Sequence, residues 1–219
     1  MRTFNNNEGK PILMAMVKAI QENKGYLSEV DGLIGDGDHG MNMNKGFTVF
    51  ETRIKDKDIS FTEGLDELGT ILLTEIGGSM GPIYGTILID MSDVGKTFEK
   101  IGLKEFSTML AAGLEGLSGI VDAKVGDKTL VDTLAPAVDS LSNAVAECKS
   151  FSVALAEMKI AAEQGKESTK ELVAKFGRSS RLGERSRGVI DAGATSCCII
   201  LTAIADAIDI LLSEKHELA

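Results

Sequence analysis

Apolar residues recur at three- and four-residue intervals over long stretches of the chain, which is the spacing of one face of an α-helix. This pattern predicts eight helices, at residues 8–25, 41–55, 61–76, 81–94, 104–123, 130–148, 151–175 and 187–213. Glycine and polar residues fill the breaks, and Ser60 with Glu63 has the spacing of a capping box. No run of alternating β-branched residues competes with this assignment, so the sequence predicts an all-α fold.

Short connections between these helices predict that neighbours are antiparallel, as in an up-and-down bundle or a closed ring. Alternate loops of such a bundle lie at the same end. We therefore expect the loops at 26–40, 77–81, 124–129 and 176–187 to converge. No internal repeat or low-complexity linker divides the chain, so we expect one domain over residues 1–219.

Charge and composition limit the class of protein. The net charge of −10 argues against binding to nucleic acid or to an anionic membrane surface. The start of the chain lacks the apolar run of a signal peptide, and Asp206 and Asp209 interrupt the most apolar segment. Three cysteines, two of them adjacent, argue against a disulfide framework. We expect a soluble cytoplasmic protein.

Three aspartates lie close together in and before the stretch GLIGDGDHGMNMNKG, at Asp31, Asp36 and Asp38. Carboxylates in such a cluster suit a hard cation, Mg²⁺ or Ca²⁺, better than zinc. An EF-hand is excluded because its twelfth position, which needs Glu, would fall on Phe47 or Asn42. Magnesium fits better than calcium, while a solvated acidic turn and a calcium-binding bundle without nucleotide are the alternatives.

Two nucleotide-binding motifs are excluded by their context. GDGDHG satisfies the G-x-G-x-x-G pattern, but it contains two aspartates and no βαβ unit surrounds it. A diphosphate could approach this loop only with a cation between the charges. GDKT, which ends at Thr129, lacks the first part of a P-loop.

Other segments suit phosphate binding. GGSMGP, which begins at Gly77, places glycines before a new helix, and it is either a phosphate-binding turn or an ordinary tight turn. GRSSRLGERSRG, which begins at Gly177, is either a phosphate-binding segment or a solvated basic loop. It holds four arginines, at 178, 181, 185 and 187. His39 suits a phosphate contact or a hydrogen-bonding role.

Taken together, four segments resemble the ADP-binding L subunit of dihydroxyacetone kinase, the DhaL family. They are IGDGDHGMNMNKGF, GGSMGPIYGT, GDKTLVDTLAPAV and GRSSRLGERSRGVIDAGATS, and they occur in the order of the family. The resemblance implies eight antiparallel helices in a closed barrel, with the nucleotide at one end. It also implies phosphoryl transfer to dihydroxyacetone or a related short ketose.

The resemblance further implies the residues of the site. Asp31, Asp36 and Asp38 would bind two Mg²⁺ ions that bridge to the phosphates of ADP or ATP, and Arg178 would assist the transfer. The implied nucleotide contacts are His39, Gly40, Met41, Asn42, Ser79, Met80, Leu130, Arg178, Asp191, Ala192 and Gly193.

The resemblance implies partners as well. A separate K subunit would hold the sugar, and a phosphohistidine protein of the phosphotransferase system would rephosphorylate the bound ADP in one branch of the family. In the other branch ATP exchanges from solution, and some members also regulate a transcription factor. A free-standing L chain favours the first branch. A homodimer is left open.

The sequence departs from the family pattern at three places. GGSMG replaces Gly-Gly-Ala-Ser-Gly, so the hydroxyl moves from position 80 to Ser79 and only the backbone of Met80 can act in its place. Val121 stands where some members have glycine near the adenine, and VIDAG replaces the common Asp-Pro-Gly. These changes concern the nucleotide pocket and leave the three aspartates intact.

Overall fold

The computed structural model describes residues 2–217, with side chains as far as residue 214, so the His216 side chain lies outside the described part. Within that range the α-helices are α1 Lys10–Ile34, α2 His39–Ile54, α3 Phe61–Glu75, α4 Met80–Gly95, α5 Leu103–Ile120, α6 Val131–Ala146, α7 Phe151–Ser168 and α8 Ala192–Glu217. Two short strands, β1 Phe4–Asn5 and β2 Lys100–Ile101, pair antiparallel. The prediction of an all-α fold is confirmed.

The helices close into a ring. Each helix packs against the next along the chain, and α8 packs against α1. The interior is filled by apolar side chains, among them the fully buried Phe47, Phe50 and Phe106. Phe4 seals one end, where its ring meets Phe61 edge-on with the centroids 5.7 Å apart. Because neighbouring helices are antiparallel, the loops before the even-numbered helices share one end of the ring.

The sequence prediction was wrong about the ends of α1, α7 and α8. The first helix continues to Ile34, nine residues past its predicted end, because Leu27, Val30 and Ile34 keep the buried periodicity after the exposed Gly25. The first loop is therefore only 35–38. The seventh loop is longer than predicted and runs over 169–191, since its basic, glycine-containing sequence forms short 3₁₀ turns in place of helix.

Glycines let α3 and α4 approach closely at the GGSMG turn. A Cβ at Gly81 would lie 2.5 Å from the Leu72 carbonyl oxygen, and one at Gly85 would lie 3.0 Å from the Gly69 carbonyl oxygen. Either atom would clash with the backbone of α3. The close contact fixes the turn between the two helices and thus the start of α4.

The helices differ in how their first turns are capped. At one end of the ring Ser60 accepts a hydrogen bond from the Glu63 amide in the predicted capping box, and Ser150 accepts one from the Val153 amide. At the other end α2 and α4 follow Asp38 and Ser79 without a side-chain cap. Apart from the His39 amide, which donates to Asp31, amides in the first turns of α2 and α4 therefore stay available for a ligand.

Within the described residues, one helix is long and apolar enough to span a membrane, the segment Ala192–Glu214 of α8. Most of it, 61%, is buried inside the protein. Its apolar side chains, including Leu201, Ile204 and Ile208, belong to the central cluster. This packing explains the apolar character of α8 as that of a core helix.

Candidate functional site

A cavity of about 360 Å³ opens at the end of the ring where α2 and α4 begin. All four loops that were predicted to converge contribute to its wall, as seen for Asp36, Gly78, Lys128 and Arg178. The first residues of α2, α4, α6 and α8 also line it. The convergence of these loops is therefore confirmed, and it brings the positive ends of several helix dipoles to one place.

The three aspartates lie together on one side of the cavity. Ligand oxygens of Asp31, Asp36 and Asp38 all lie within 4.8 Å of one another. Asp31 sits in the last turn of α1, and Asp38 precedes the first residue of α2. Gly35 makes the tight turn between them possible, because a Cβ there would lie 2.3 Å from the Asp31 Oδ1 atom.

Arg178 reaches the same aspartates from the seventh loop. Its guanidinium forms an ion pair with Asp36, and the two side chains are 61% and 36% exposed. Gly177 has a φ of +69°, a conformation that L side chains rarely adopt, and it turns the chain toward the cavity just before the arginine. A cationic side chain and three carboxylates therefore share the cavity mouth.

A hydrogen-bonded chain crosses the cavity wall beside the start of α2. His39 Nε2 lies 2.8 Å from Ser196 Oγ, which lies 2.6 Å from the Tyr84 hydroxyl. The His39 amide donates to Asp31 Oδ2 at 3.4 Å. Burial lowers the pKa of the His39 ring to about 4, against the attraction of Asp31, so the ring is neutral at pH 7. The chain ties α2, α4 and α8 together.

Two buried charged residues, Lys128 and Asp132, stand at the fifth loop and the start of α6. Lys128 donates hydrogen bonds from Nζ to the carbonyl oxygens of Thr169 and Val189. Asp132 accepts hydrogen bonds from the amides of Gly126 at 2.6 Å and Thr129 at 2.7 Å. The Lys128 bonds hold the fifth loop against both sides of the seventh loop. The Asp132 bonds hold the fifth loop against the start of α6.

Asp191 caps α8 by accepting a hydrogen bond from the Ala194 amide at 2.8 Å. Burial raises the pKa of its carboxyl to about 6, although this hydrogen bond and Lys128 oppose the shift.

Most of the predicted nucleotide contacts line the cavity. They are His39, Asn42, Ser79, Met80, Leu130, Arg178, Asp191, Ala192 and Gly193, together with the three aspartates. Gly40 and Met41 are not part of the wall. Gly40 is buried against α1, where a Cβ would lie 2.0 Å from the Lys24 carbonyl oxygen, and the Met41 side chain is 56% exposed.

Several wall residues were not predicted from the sequence. Ile34, Ile83 and Leu117 supply an apolar lining, and Tyr84 and Lys128 supply buried polar groups. GDKT is excluded as a P-loop and otherwise contributes only to the family resemblance, so the sequence assigns its lysine no role. Val121, noted as a departure from the family pattern, does line the cavity.

The cavity fits a nucleotide with a divalent cation. Three carboxylates so close together repel one another unless a cation lies between them, and oxygen ligands suit Mg²⁺. Uncapped amides at α2 and α4 suit phosphate oxygens. Apolar side chains such as Leu117 and Leu130 suit the flat face of a base.

Comparison with known proteins agrees with this geometry. The family model described as the DAK2 domain matches residues 33–206. The chain is 38% identical to the PEP-dependent dihydroxyacetone kinase ADP-binding subunit DhaL of Escherichia coli, over 82% of this chain and 86% of that protein. It is 34% identical to the PTS-dependent kinase subunit DhaL of Lactococcus lactis, over 86% of this chain and 91% of that protein.

A solved structure shares the fold. The dihydroxyacetone kinase from C. freundii, in complex with AMP-PNP and Mg²⁺, superposes with a TM-score of 0.67 at 20% identity. The match covers 94% of this chain and 35% of that one, so the chain spans about a third of the length of the solved kinase. From the family match and from relatives that align over most of their length, we conclude that this chain belongs to the DAK2 domain family, among the DhaL subunits.

Proposed function

We propose that this chain is the nucleotide-binding subunit of a dihydroxyacetone kinase and passes a phosphoryl group to a short ketose. The observation that carries the proposal is the meeting of Asp31, Asp36 and Asp38 with the uncapped start of α2 in one cavity. The names of the relatives support the same activity. We also propose that residues 1–219 act as one domain.

The proposed cofactors are ADP or ATP and two Mg²⁺ ions. The three aspartates would hold the ions, because their oxygens already converge. Arg178, which pairs with Asp36, supplies one positive charge against the three negative charges. Two divalent ions offset the combined charge of the aspartates and the phosphates better than one ion does. When bound, Mg²⁺ supplies charge neutralisation on the phosphates.

The chain supplies position and electrostatics. The amides of Gly40, Met41 and Met80 lie in the first turns of α2 and α4, where they would bind phosphate oxygens. The Asn42 amide donates to the Asp38 carbonyl oxygen, so Asn42 would contact phosphate through its side chain, alongside His39 and Ser79. Leu130 would help to enclose the adenosine, and Asp191, Ala192 and Gly193, which line the same cavity, would complete the nucleotide site. Arg178 would bind the phosphoryl group during transfer, so the reaction needs no nucleophile on this chain.

The small size of the cavity suggests that a partner protein holds the ketose. About 360 Å³ is the size of a single small-molecule site, so the ketose would bind a separate K subunit that docks at the mouth. A phosphohistidine protein of the phosphotransferase system would recharge the bound ADP in the cytoplasm. The acidic net charge of −10 disfavours nucleic acid and membrane partners. Sedimentation equilibrium would show whether two copies associate as a homodimer.

The first test is the nucleotide content of the freshly purified protein, released by acid and measured by chromatography. Nearly one ADP per chain that survives dialysis with Mg²⁺ supports a permanent cofactor and the phosphotransferase branch. An empty protein that is stabilised by added Mg·ATP supports the ATP-exchanging branch. A protein that binds neither nucleotide, with or without Mg²⁺, overturns the proposal.

A further inference from the structure

Lys128 is an unusual residue in two independent respects. Its side chain is 1% exposed, although lysine is almost never fully buried. Its backbone has a φ of +61°, a strained region that non-glycine residues rarely occupy. Such costs persist where the surrounding structure imposes them, and they cluster at functional sites. The residue therefore calls for a role beyond filling space.

The contacts of Lys128 suggest that role. Its Nζ donates to the Thr169 carbonyl oxygen, just after α7, and to the Val189 carbonyl oxygen, just before α8. These two residues mark the ends of the segment 169–191, here called the arginine loop. One buried cation thus joins both sides of the arginine loop to the fifth loop. The fifth loop also lines the cavity.

Other bonds near Lys128 either lie within the arginine loop or involve an exposed lysine. The Gly188 amide donates to the Lys170 carbonyl oxygen at 2.8 Å, which joins the two sides of the arginine loop to each other. Lys175 forms an ion pair with Asp127 at 2.5 Å and does reach the fifth loop, but its side chain is 63% exposed. Exposed pairs of this kind contribute little. The Lys175 amide also donates to the Asp127 carbonyl oxygen at 3.2 Å. Lys128 adds a buried side-chain connection that reaches both sides of the arginine loop.

We propose that Lys128 is a positioning residue that fixes the arginine loop over the cavity and so holds Arg178 beside the three aspartates. Arg178 lies between the two tethered ends and reaches Asp36 across the mouth. Loss of the tether would loosen the arginine loop against the fifth loop and spread the positions of the guanidinium. The part of this proposal that concerns catalysis rests on the proposed function, whereas the part that concerns the loop does not.

The tether is tested by limited proteolysis of the full chain with an arginine-specific protease. Four of the six arginines, at 178, 181, 185 and 187, lie in the arginine loop, and lysine substitutions leave these sites unchanged. We expect Lys128→Met to speed cleavage there by roughly tenfold or more, the factor that one charged hydrogen bond is worth. Circular dichroism and cleavage after Arg53 report whether the helices remain intact.

Lys175→Met is the matched control. It makes the same substitution and removes the ion pair of an exposed lysine with Asp127, while the Lys175 amide keeps its hydrogen bond to the Asp127 carbonyl oxygen. We expect its cleavage rate to rise less than about threefold. Equal rates for wild type and Lys128→Met would overturn the proposal. If Lys128→Met does not fold, Lys128→Gln replaces it, since glutamine removes the charge and keeps a donor.

A double-mutant cycle then tests whether Lys128 acts through Arg178. With a K subunit and dihydroxyacetone, we expect Lys128→Met to lower kcat, and we expect the double variant with Arg178→Ala to be no slower than Arg178→Ala alone. Losses that multiply would contradict a positioning role. If wild-type protein binds no Mg·ADP, the proposed function fails, while the proteolysis result still decides whether Lys128 tethers the loop.

Discussion

Arg178 forms an ion pair with Asp36, which brings together residues of the seventh and first loops across the mouth of the cavity. Both side chains are partly exposed, so the pair adds little to the free energy of unfolding. Its importance lies in placement, because a cationic group already stands where carboxylates would hold metal ions. The same arginine is therefore within reach of any phosphate that those ions bind.

Arg178→Ala should reduce turnover far more than nucleotide binding. A guanidinium that meets the moving phosphoryl group interacts most strongly in the transition state, so kcat should fall by roughly 1,000-fold, while the Kd for Mg·ADP should change less than about tenfold. Turnover with a K subunit and calorimetric titration measure the two effects. Arg181→Ala, in the same loop but outside the cavity wall, is the control. Equal losses in both measurements would indicate a simple binding role.

Asp38→Ala should abolish Mg²⁺-dependent nucleotide binding and leave the fold intact. Removing one of three converging carboxylates should raise the Kd for Mg·ADP by at least about 100-fold, equivalent to roughly 3 kcal/mol. Calorimetry in Mg²⁺ and in EDTA measures the change, and circular dichroism checks the helices. Asp58→Ala alters an exposed aspartate outside this cavity and should bind normally. An unchanged affinity for Asp38→Ala would contradict the metal assignment.

Asp191→Asn should gain stability relative to wild type as the pH rises from 4 to 7.5. Burial raises the pKa of Asp191 from 3.8 to about 6, so the contribution of its protonated form is fully present below pH 3.8 and is lost as the pH rises through 6. Asparagine stays neutral and can still accept the Ala194 amide. The difference in free energy of unfolding should therefore grow by at most about 3 kcal/mol between pH 4 and 7.5.

Urea denaturation of both proteins across this pH range measures the effect of Asp191→Asn. His39 also gains a proton on unfolding in this window, but it does so in wild type and variant alike, and the difference removes its contribution. Asp139→Asn, which changes an exposed aspartate of α6, provides the control. Parallel stability curves for Asp191→Asn and wild type would show that the Asp191 pKa is not raised.

Gly81→Ala should destabilise the protein, whereas Gly77→Ala should not. The new methyl group at position 81 would lie 2.5 Å from the Leu72 carbonyl oxygen, so α3 and α4 would have to separate at a cost of about 1–3 kcal/mol. A Cβ at Gly77 meets nothing within 4 Å, and we expect a change below about 1 kcal/mol. Urea denaturation distinguishes the two variants, and equal stabilities would contradict the close packing of the helices.

Much of the architecture could be predicted because it depends on local pattern. Helical periodicity locates the centres of the helices, and the Ser60 cap is a local signal that the structure confirms. The aspartates were recognisable because three of them lie within eight residues. The end of α1 was mispredicted because exposed polar residues and Gly25 hide the apolar spacing of Leu27, Val30 and Ile34.

The polar connections of the cavity wall could not be predicted, because each joins residues far apart in sequence. His39 meets Ser196 across 157 positions, and Lys128 meets Thr169 across 41. Nothing local to either residue indicates burial, and a lysine would ordinarily be assigned to the surface. The left-handed backbone at Lys128 is equally hidden, since the sequence there suggests only an ordinary turn.

The contrast between the capped α3 and α7 and the uncapped α2 and α4 affects how readily their first turns unfold locally. Where Ser60 and Ser150 complete their helices, the first amides are protected by the chain itself. At α2 and α4 a bound phosphate would complete the helices, so the ligand acts as the missing cap. The first turns of α2 and α4 therefore depend on a ligand for part of their local stability. Amide hydrogen exchange should be faster in these turns than in the first turns of α3 and α7, and nucleotide should slow it there first.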